Sequence, residues 1–112
     1  MTLRAWQDEV DDWIGRMGGY FSPLSQLAQL TEEVGELARL INRVHGDQSF
    51  KKGEKDEAAI PDEMADILFT LTCLANSLKV DLTDAAKANM AKKTQRDAAR
   101  HAGNSKLGGA SA

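Results

Sequence analysis

The chain is predicted to be all-α, with four helices in one subunit. Two observations predict this. Apolar residues recur at spacings of three and four through the long segments, and glycine, serine and proline stand at the breaks between them. At 112 residues the chain makes one domain, or one subunit whose core a partner completes.

The first helix is expected from Thr2 to Met17, with Trp6, Val10, Trp13, Ile14 and Met17 at helical spacing and Gly18-Gly19 ending it. Tyr20-Phe21-Ser22-Pro23 follows as a connector, with Ser22 as cap and Pro23 in the first helical position. The second helix runs from Leu24 to His45 on a stripe of Leu27, Leu30, Val34, Leu37, Ile41 and Val44, and Gly46 stops it. Residues 46–57 are charged and glycine-containing with little to bury, the composition of a mobile or functional loop. The third helix begins near Ala59 to Pro61 and reaches Leu78, with Ile60, Met64, Ile67, Leu71, Leu74 and Leu78 as its stripe. The fourth opens at Asp81 or Thr83 and continues to Arg100, alanine-rich and basic towards its end, as the helix dipole favours. Residues 1–100 thus form the domain. The segment 101–112, with almost no apolar bulk, reads as a disordered tail.

A net charge of −3 argues against nonspecific nucleic-acid binding, which needs a basic footprint. The N-terminal residues have no apolar signal region, and the longest apolar run, Ile67 to Leu78, is interrupted by Thr70, Thr72, Asn76 and Ser77. No membrane partner and a cytoplasmic location are therefore expected. Cys73, the single cysteine, lies in an apolar helical run and reads as a small buried hydrophobe, not a reactive thiol.

The chemistry lies in the acids. Glu32-Glu33 with Glu36, and Glu63 with Asp66, stand three or four apart on the second and third helices. Such neighbours sit about 5–6 Å apart on one helix face, so two such helices side by side make a cup of carboxylates. Oxygen ligands without histidine or thiol suit Mg²⁺, with Mn²⁺ as the alternative. A single acidic pair is most simply a solvated helix face. Glu63, however, falls inside the apolar stripe between Ile60 and Ile67, with Asp66 at its edge, and Glu33 borders the stripe of the second helix. An isolated buried carboxylate costs several kcal/mol, so it is paired or holds a metal. Glu32 points away from the stripe, either solvated or placed to activate water as a general base.

The pattern Glu32-Glu33-x-x-Glu36, then 26 residues, then Glu63-x-x-Asp66 resembles the EExxE…ExxD signature of MazG-type nucleoside triphosphate pyrophosphohydrolases. The flanks match too: Tyr20-Phe21-Ser22-Pro23-Leu24, the stretch Leu30 to Arg39, and Asp62 to Phe69 look like the short single-domain bacterial members, over residues 5–97. The resemblance implies helices of two subunits completing each core, in an intertwined helical-bundle dimer or tetramer. It also implies Mg²⁺-dependent hydrolysis of a nucleoside triphosphate to monophosphate and pyrophosphate, the family's activity being associated with nucleotide-pool sanitation. By this similarity Glu33, Glu36, Glu63 and Asp66 are the metal ligands, and Glu32 supports them, in one reading as the base.

On the fourth helix Asn89, Lys92, Lys93 and Arg96 share a face that could receive phosphates, or simply be solvated. Lys92 and Arg96 match a Lys and Arg four apart in the family. Asn89 is one residue off the family's asparagine, whose slot holds Met90. Lys51, Lys52 and Lys55 in the long loop are further candidates. For the base, Tyr20 and Phe21 beside the Gly-Gly turn are placed for a pocket lip, whereas Trp13 reads as core. Phosphoribosyl-ATP pyrophosphohydrolase is a related enzyme with similar helices. A non-catalytic helical dimer is the alternative of another class, and it leaves Glu63 unexplained. His45 and His101 are isolated, which disfavours a di-iron bundle.

Overall fold

A computed structural model describes residues 1–50 and 57–107. Among them are four helices and no strand: α1 (Leu3–Arg16), α2 (Pro23–His45), α3 (Ile60–Ser77) and α4 (Leu82–Ala102). Short 3₁₀ turns occupy Glu57–Ala59 and Ser105–Leu107. The expected all-α class is what forms. The loop lysines Lys51, Lys52 and Lys55 and the last five residues of the tail lie outside the described residues. The chain divides into two compact units, Met1–Val80 with α1, α2 and α3, and Asp81–Ala112 with α4.

Local chemistry sets the helix ends. Thr2 caps α1 by accepting from the Ala5 N–H at 3.1 Å, and Ser22 caps α2 by accepting from Ser25 at 3.3 Å. After α1 the Gly19 N–H donates to the Ile14 carbonyl at 2.9 Å, with Gly18 at φ +107°. That is a Schellman closure, whose left-handed position glycine occupies without steric cost. The same closure ends α3, where Val80 N–H donates to Ala75 O at 2.8 Å and Lys79 N–H to Asn76 O at 3.2 Å. There the left-handed position, φ +59°, is held by Lys79. Asp81 caps α4, its carboxylate accepting from the Asp84 N–H at 3.0 Å. The fourth helix extends to Ala102, two residues past the expected end.

In the first unit α3 packs chiefly on α2 and also on α1. The buried ridge of α2 is rotated from the predicted stripe. Gln26, Leu30, Glu33, Leu37, Leu40 and Val44 turn inward, spaced four, three, four, three and four, whereas Leu27, Val34 and Ile41 are exposed. On α3 the inward positions include Glu63, Thr72, Cys73 and Ala75, and Met64, Leu68, Leu71 and Leu78 are left exposed. Half of each predicted stripe is thus left exposed by the helices of this unit. A helix with apolar residues on two adjacent ridges can bury only one against a single neighbour.

The core that does form is unusually polar. Thr72 is fully buried; it accepts from the Trp6 indole N–H at 2.8 Å and donates to the Leu68 carbonyl at 2.6 Å. Asn76 donates to the Gln7 carbonyl and to the Tyr20 hydroxyl, both at 3.0 Å. Gln7 in turn donates to the Asn76 side-chain oxygen at 3.0 Å and to Val80 O at 2.9 Å. Buried Gln26 donates to Phe21 O and Ser77 Oγ at 2.7 and 2.8 Å. These bonds tie α1 and the turn before α2 to the C-terminal half of α3. Cys73 is buried, and burial pushes its thiol pKa up, as the sequence suggests for an inert packing residue.

Candidate metal centre

Glu33, Glu63 and Asp66 converge. Each offers a carboxylate oxygen, and the three oxygens lie within 4.8 Å of one another. The cause is local. Glu33 sits on the inward ridge of α2, and Glu63 and Asp66 stand one helical turn apart on α3, the helix packed most extensively on α2. Glu63 is only 2% exposed; Glu33 and Asp66 are half-buried. Glu63 also lies in the first turn of α3, where the positive end of the helix dipole favours a carboxylate.

Three acids at this distance repel. The pKa of Glu33 is raised, first by burial, then by a hydrogen bond to Glu63 and by the negative charges of Asp66, Glu63 and Glu36. A divalent cation would reverse each electrostatic contribution, and an all-oxygen donor set suits a hard one. The residues present therefore fit such an ion.

The other predicted site residues are placed differently. Glu36 is exposed and is not among the three converging acids, though its charge is felt at Glu33. Glu32 is exposed and lines a shallow hollow of about 400 Å³ on α2 with Phe21, Ser25, Ala28 and Gln29. Phe21 is 69% exposed there. The Tyr20 hydroxyl is committed to the polar network, donating to Asp11 at 2.6 Å and accepting from Asn76. Its pKa is pushed up to about 12, mainly by burial and then by the Asp11 hydrogen bond. In the second unit Asn89, Lys92 and Arg96 are all exposed on α4, and Arg96 lies 3.5 Å from the Asp97 carboxylate. Sequence reasoning missed Gln7, Gln26 and Asn76 as organisers of the turn between α1 and α2. Their signal was a polar side chain three or four residues from an apolar one on an inward ridge.

An all-helical chain with converging acids from two neighbouring helices is the class of protein this architecture defines, a candidate acidic metal centre on helices. The family model for the MazG nucleotide pyrophosphohydrolase domain matches residues 21–101. The chain belongs to the MazG family, and it is a hydrolase acting on nucleoside triphosphates. It is 46% identical over 97 residues to YpjD of Bacillus subtilis, spanning 86% of each chain. It is 32% identical over 99 residues to the dATP/dGTP diphosphohydrolase of Cyanophage S-2L, across 88% of this chain and 80% of that one. Among solved structures it is similar to the Bacillus-conserved MazG protein, a nucleotide pyrophosphohydrolase, with 43% identity, a TM-score of 0.74 and coverage of 86% and 93%. No helix among the described residues is long and apolar enough to cross a membrane.

Proposed function

We propose that the chain hydrolyses a nucleoside or deoxynucleoside triphosphate to the monophosphate and pyrophosphate at the Glu33, Glu63 and Asp66 cluster. Mg²⁺ is the cofactor, or Mn²⁺ in its place, and the purpose is clearance of unwanted nucleotides from a cytoplasmic pool. The observation behind this reading is Glu63, a carboxylate 2% exposed with two more carboxylates turned to it. The cyanophage relative's name makes dATP and dGTP the first substrates to try.

Glu33, Glu63 and Asp66 would hold the ion, with exposed Glu36 swinging in as a fourth ligand. Bound there, the ion supplies positive charge against the triphosphate and lowers the pKa of a coordinated water. Glu32 accepts the proton of the attacking water. Lys92, Arg96 and Asn89, exposed on α4, are the candidate donors to phosphate oxygens. Phe21, with its ring open to solvent, contacts the substrate, and Tyr20 serves it by fixing the turn that carries Phe21.

The uncovered ridges of α2 and α3 support assembly as a homodimer, or a tetramer of such dimers, because contiguous apolar surface of this kind marks an interface. Pyrophosphate release from a panel of nucleoside triphosphates tests the activity, with Mg²⁺ and then with EDTA. Release that EDTA abolishes is expected; no cleavage of any triphosphate at any metal concentration would end the enzymatic reading.

A further inference from the structure

A second feature of the first unit lies outside the acidic cluster. Trp6, Glu9, Val10, Trp13 and Arg16 of α1 and Phe69 of α3 line a groove of about 280 Å³. Both tryptophans of the chain are in it. The Phe69 ring meets Trp13 edge to face at 5.8 Å and 78°, and Trp6 at 6.5 Å and 74°. An edge-to-face contact covers at most one face of a ring, so Phe69 leaves at least the opposite face of each indole uncovered. Trp13 is 44% exposed, more than a residue that only fills a core retains. Trp6 is held by its indole N–H bond to fully buried Thr72, so the groove is ordered before any guest arrives.

Two relations tie the groove to the acids. Phe69 follows Asp66 by three residues on α3, which makes them surface neighbours with Cβ atoms about 5–6 Å apart. The aromatic wall of the groove therefore adjoins the turn of α3 that carries Asp66. The polar rim has both signs, Glu9 and Arg16, with Arg16 braced by Asp12 at 3.3 Å.

From these relations we infer that the groove between α1 and α3 receives the purine base of the substrate. The base stacks on the exposed face of Trp13, and Glu9 accepts from its N–H groups. The inference rests on the reading of the acidic cluster as the triphosphate-hydrolysing site. The hollow at Phe21 offers a single ring, whereas the groove offers three. A purine, with the larger π-surface, gains more from them than a pyrimidine does. The amino group of adenine, or the amino and N1–H groups of guanine, are donors to the Glu9 carboxylate, and the carbonyl oxygen of guanine suits Arg16.

The test begins with nucleosides, which carry no phosphate and need neither metal nor turnover. Adenosine and guanosine should quench the tryptophan fluorescence of the full-length protein at lower concentration than uridine or cytidine, and Trp6→Phe should retain the response through Trp13. No change with any nucleoside at millimolar concentration overturns the proposal. So does a response that follows protein concentration alone, which would mean a second copy fills the groove. In steady-state kinetics Trp13→Leu should raise KM for purine triphosphates about tenfold, the loss of one stacking contact. Most of the effect should fall on KM, and Trp13→Phe should restore it; an unchanged KM overturns the assignment. Leucine at position 13 removes a partner of Phe69, so Glu9→Gln, at an exposed position, provides an independent variant. It should raise KM for purine triphosphates about threefold by weakening the bond from the base N–H. An unchanged KM removes Glu9. If nucleosides quench but the wild-type protein releases no pyrophosphate, the groove stands and the hydrolase reading falls.

Discussion

The Glu33 carboxyl on α2 lies against the Glu63 carboxyl on α3, and burial, then this contact, raise the Glu33 pKa. Burial and like charge together make full ionisation of such a pair costly. Asp66 closes the group from one turn further along α3, and its charge raises Glu33 further. The bare cluster is therefore destabilising, and the proposed cation would make it favourable and so couple folding to ion binding.

The first prediction follows from that coupling. Glu33→Gln keeps a donor for Glu63 and removes one negative charge. The metal-free protein should melt higher, by about 4–8 °C if the relief is about 1 kcal/mol in a domain of this size. Mg²⁺, which should raise the wild-type midpoint, should then have little effect. Scanning calorimetry in EDTA and in Mg²⁺ gives both numbers, and a lower midpoint for the metal-free variant would count against repulsion in the cluster.

Glu36 separates ligation from stability. Its side chain is exposed, so Glu36→Gln should change the metal-free stability by less than about 0.5 kcal/mol, as surface substitutions do. If it swings in as a ligand, the pyrophosphate release rate should fall by more than about 100-fold, the upper cost of losing an outer-shell partner. Rates near wild type would take Glu36 out of the site.

How far these features were legible in the sequence depends on the residue. Helix existence, the cap at Ser22 and the stop at Gly18-Gly19 were readable, and the cap of α4 was narrowed to Asp81 or Thr83, because capping and left-handed closure are set by neighbours in the chain. Glu63 was readable because an acid between Ile60 and Ile67 stands out on a wheel. The inward ridge of α2 was not. Leu27, Val34 and Ile41 are as apolar as Leu30, Leu37 and Val44, and only packing decides which set faces α3. The same ambiguity made Trp13 look like core. The hydrogen-bond network of Tyr20 was not readable either, because its partners Asp11 and Asn76 come from two different helices.

Tyr20 predicts an alkaline weakness. Its pKa is pushed up from 10.0 to about 12, first by burial and then by the hydrogen bond to Asp11. The folded state holds the proton more tightly than the unfolded chain does. The stability this confers is fully present below pH 10.0 and is lost as the pH rises through about 12. Denaturant melts of wild type should therefore weaken across that window, and Tyr20→Phe should show a flatter decline. Equal slopes for the two proteins would exclude the Tyr20 network as the cause.

The uncovered ridges predict how the protein assembles. Ile41 is 37% exposed and Leu68 is 40% exposed, values at which a monomer would accept charge with little consequence. In a homodimer closed through these ridges, Ile41→Glu or Leu68→Glu would bury an unpaired carboxylate, which costs several kcal/mol. Sedimentation equilibrium should show wild type as a dimer or tetramer and either variant as a monomer. A monomeric wild-type protein would mean that something other than its own copy covers α2 and α3.

Lys79 offers the simplest gain in stability. It closes α3 at φ +59°, where an L side chain crowds the following carbonyl and glycine does not. The closing bonds, Val80 to Ala75 and Lys79 to Asn76, are made by the backbone and survive any substitution. Lys79 is exposed, so its side chain contributes little burial. Relief of the left-handed strain is worth roughly 1–2 kcal/mol, against about 0.5–1 kcal/mol of extra backbone entropy that glycine loses on folding. Lys79→Gly should therefore stabilise by about 0.5–1 kcal/mol, raising the melting temperature by a few degrees with pyrophosphate release unchanged. The contrast is Gly18, at φ +107° in the same position after α1, where alanine would add the strain that Lys79→Gly removes. Opposite shifts for the two variants in one thermal-melt series are the expected outcome. A fall in stability for Lys79→Gly would show that the lysine side chain holds the end of α3 through a contact worth more than the strain.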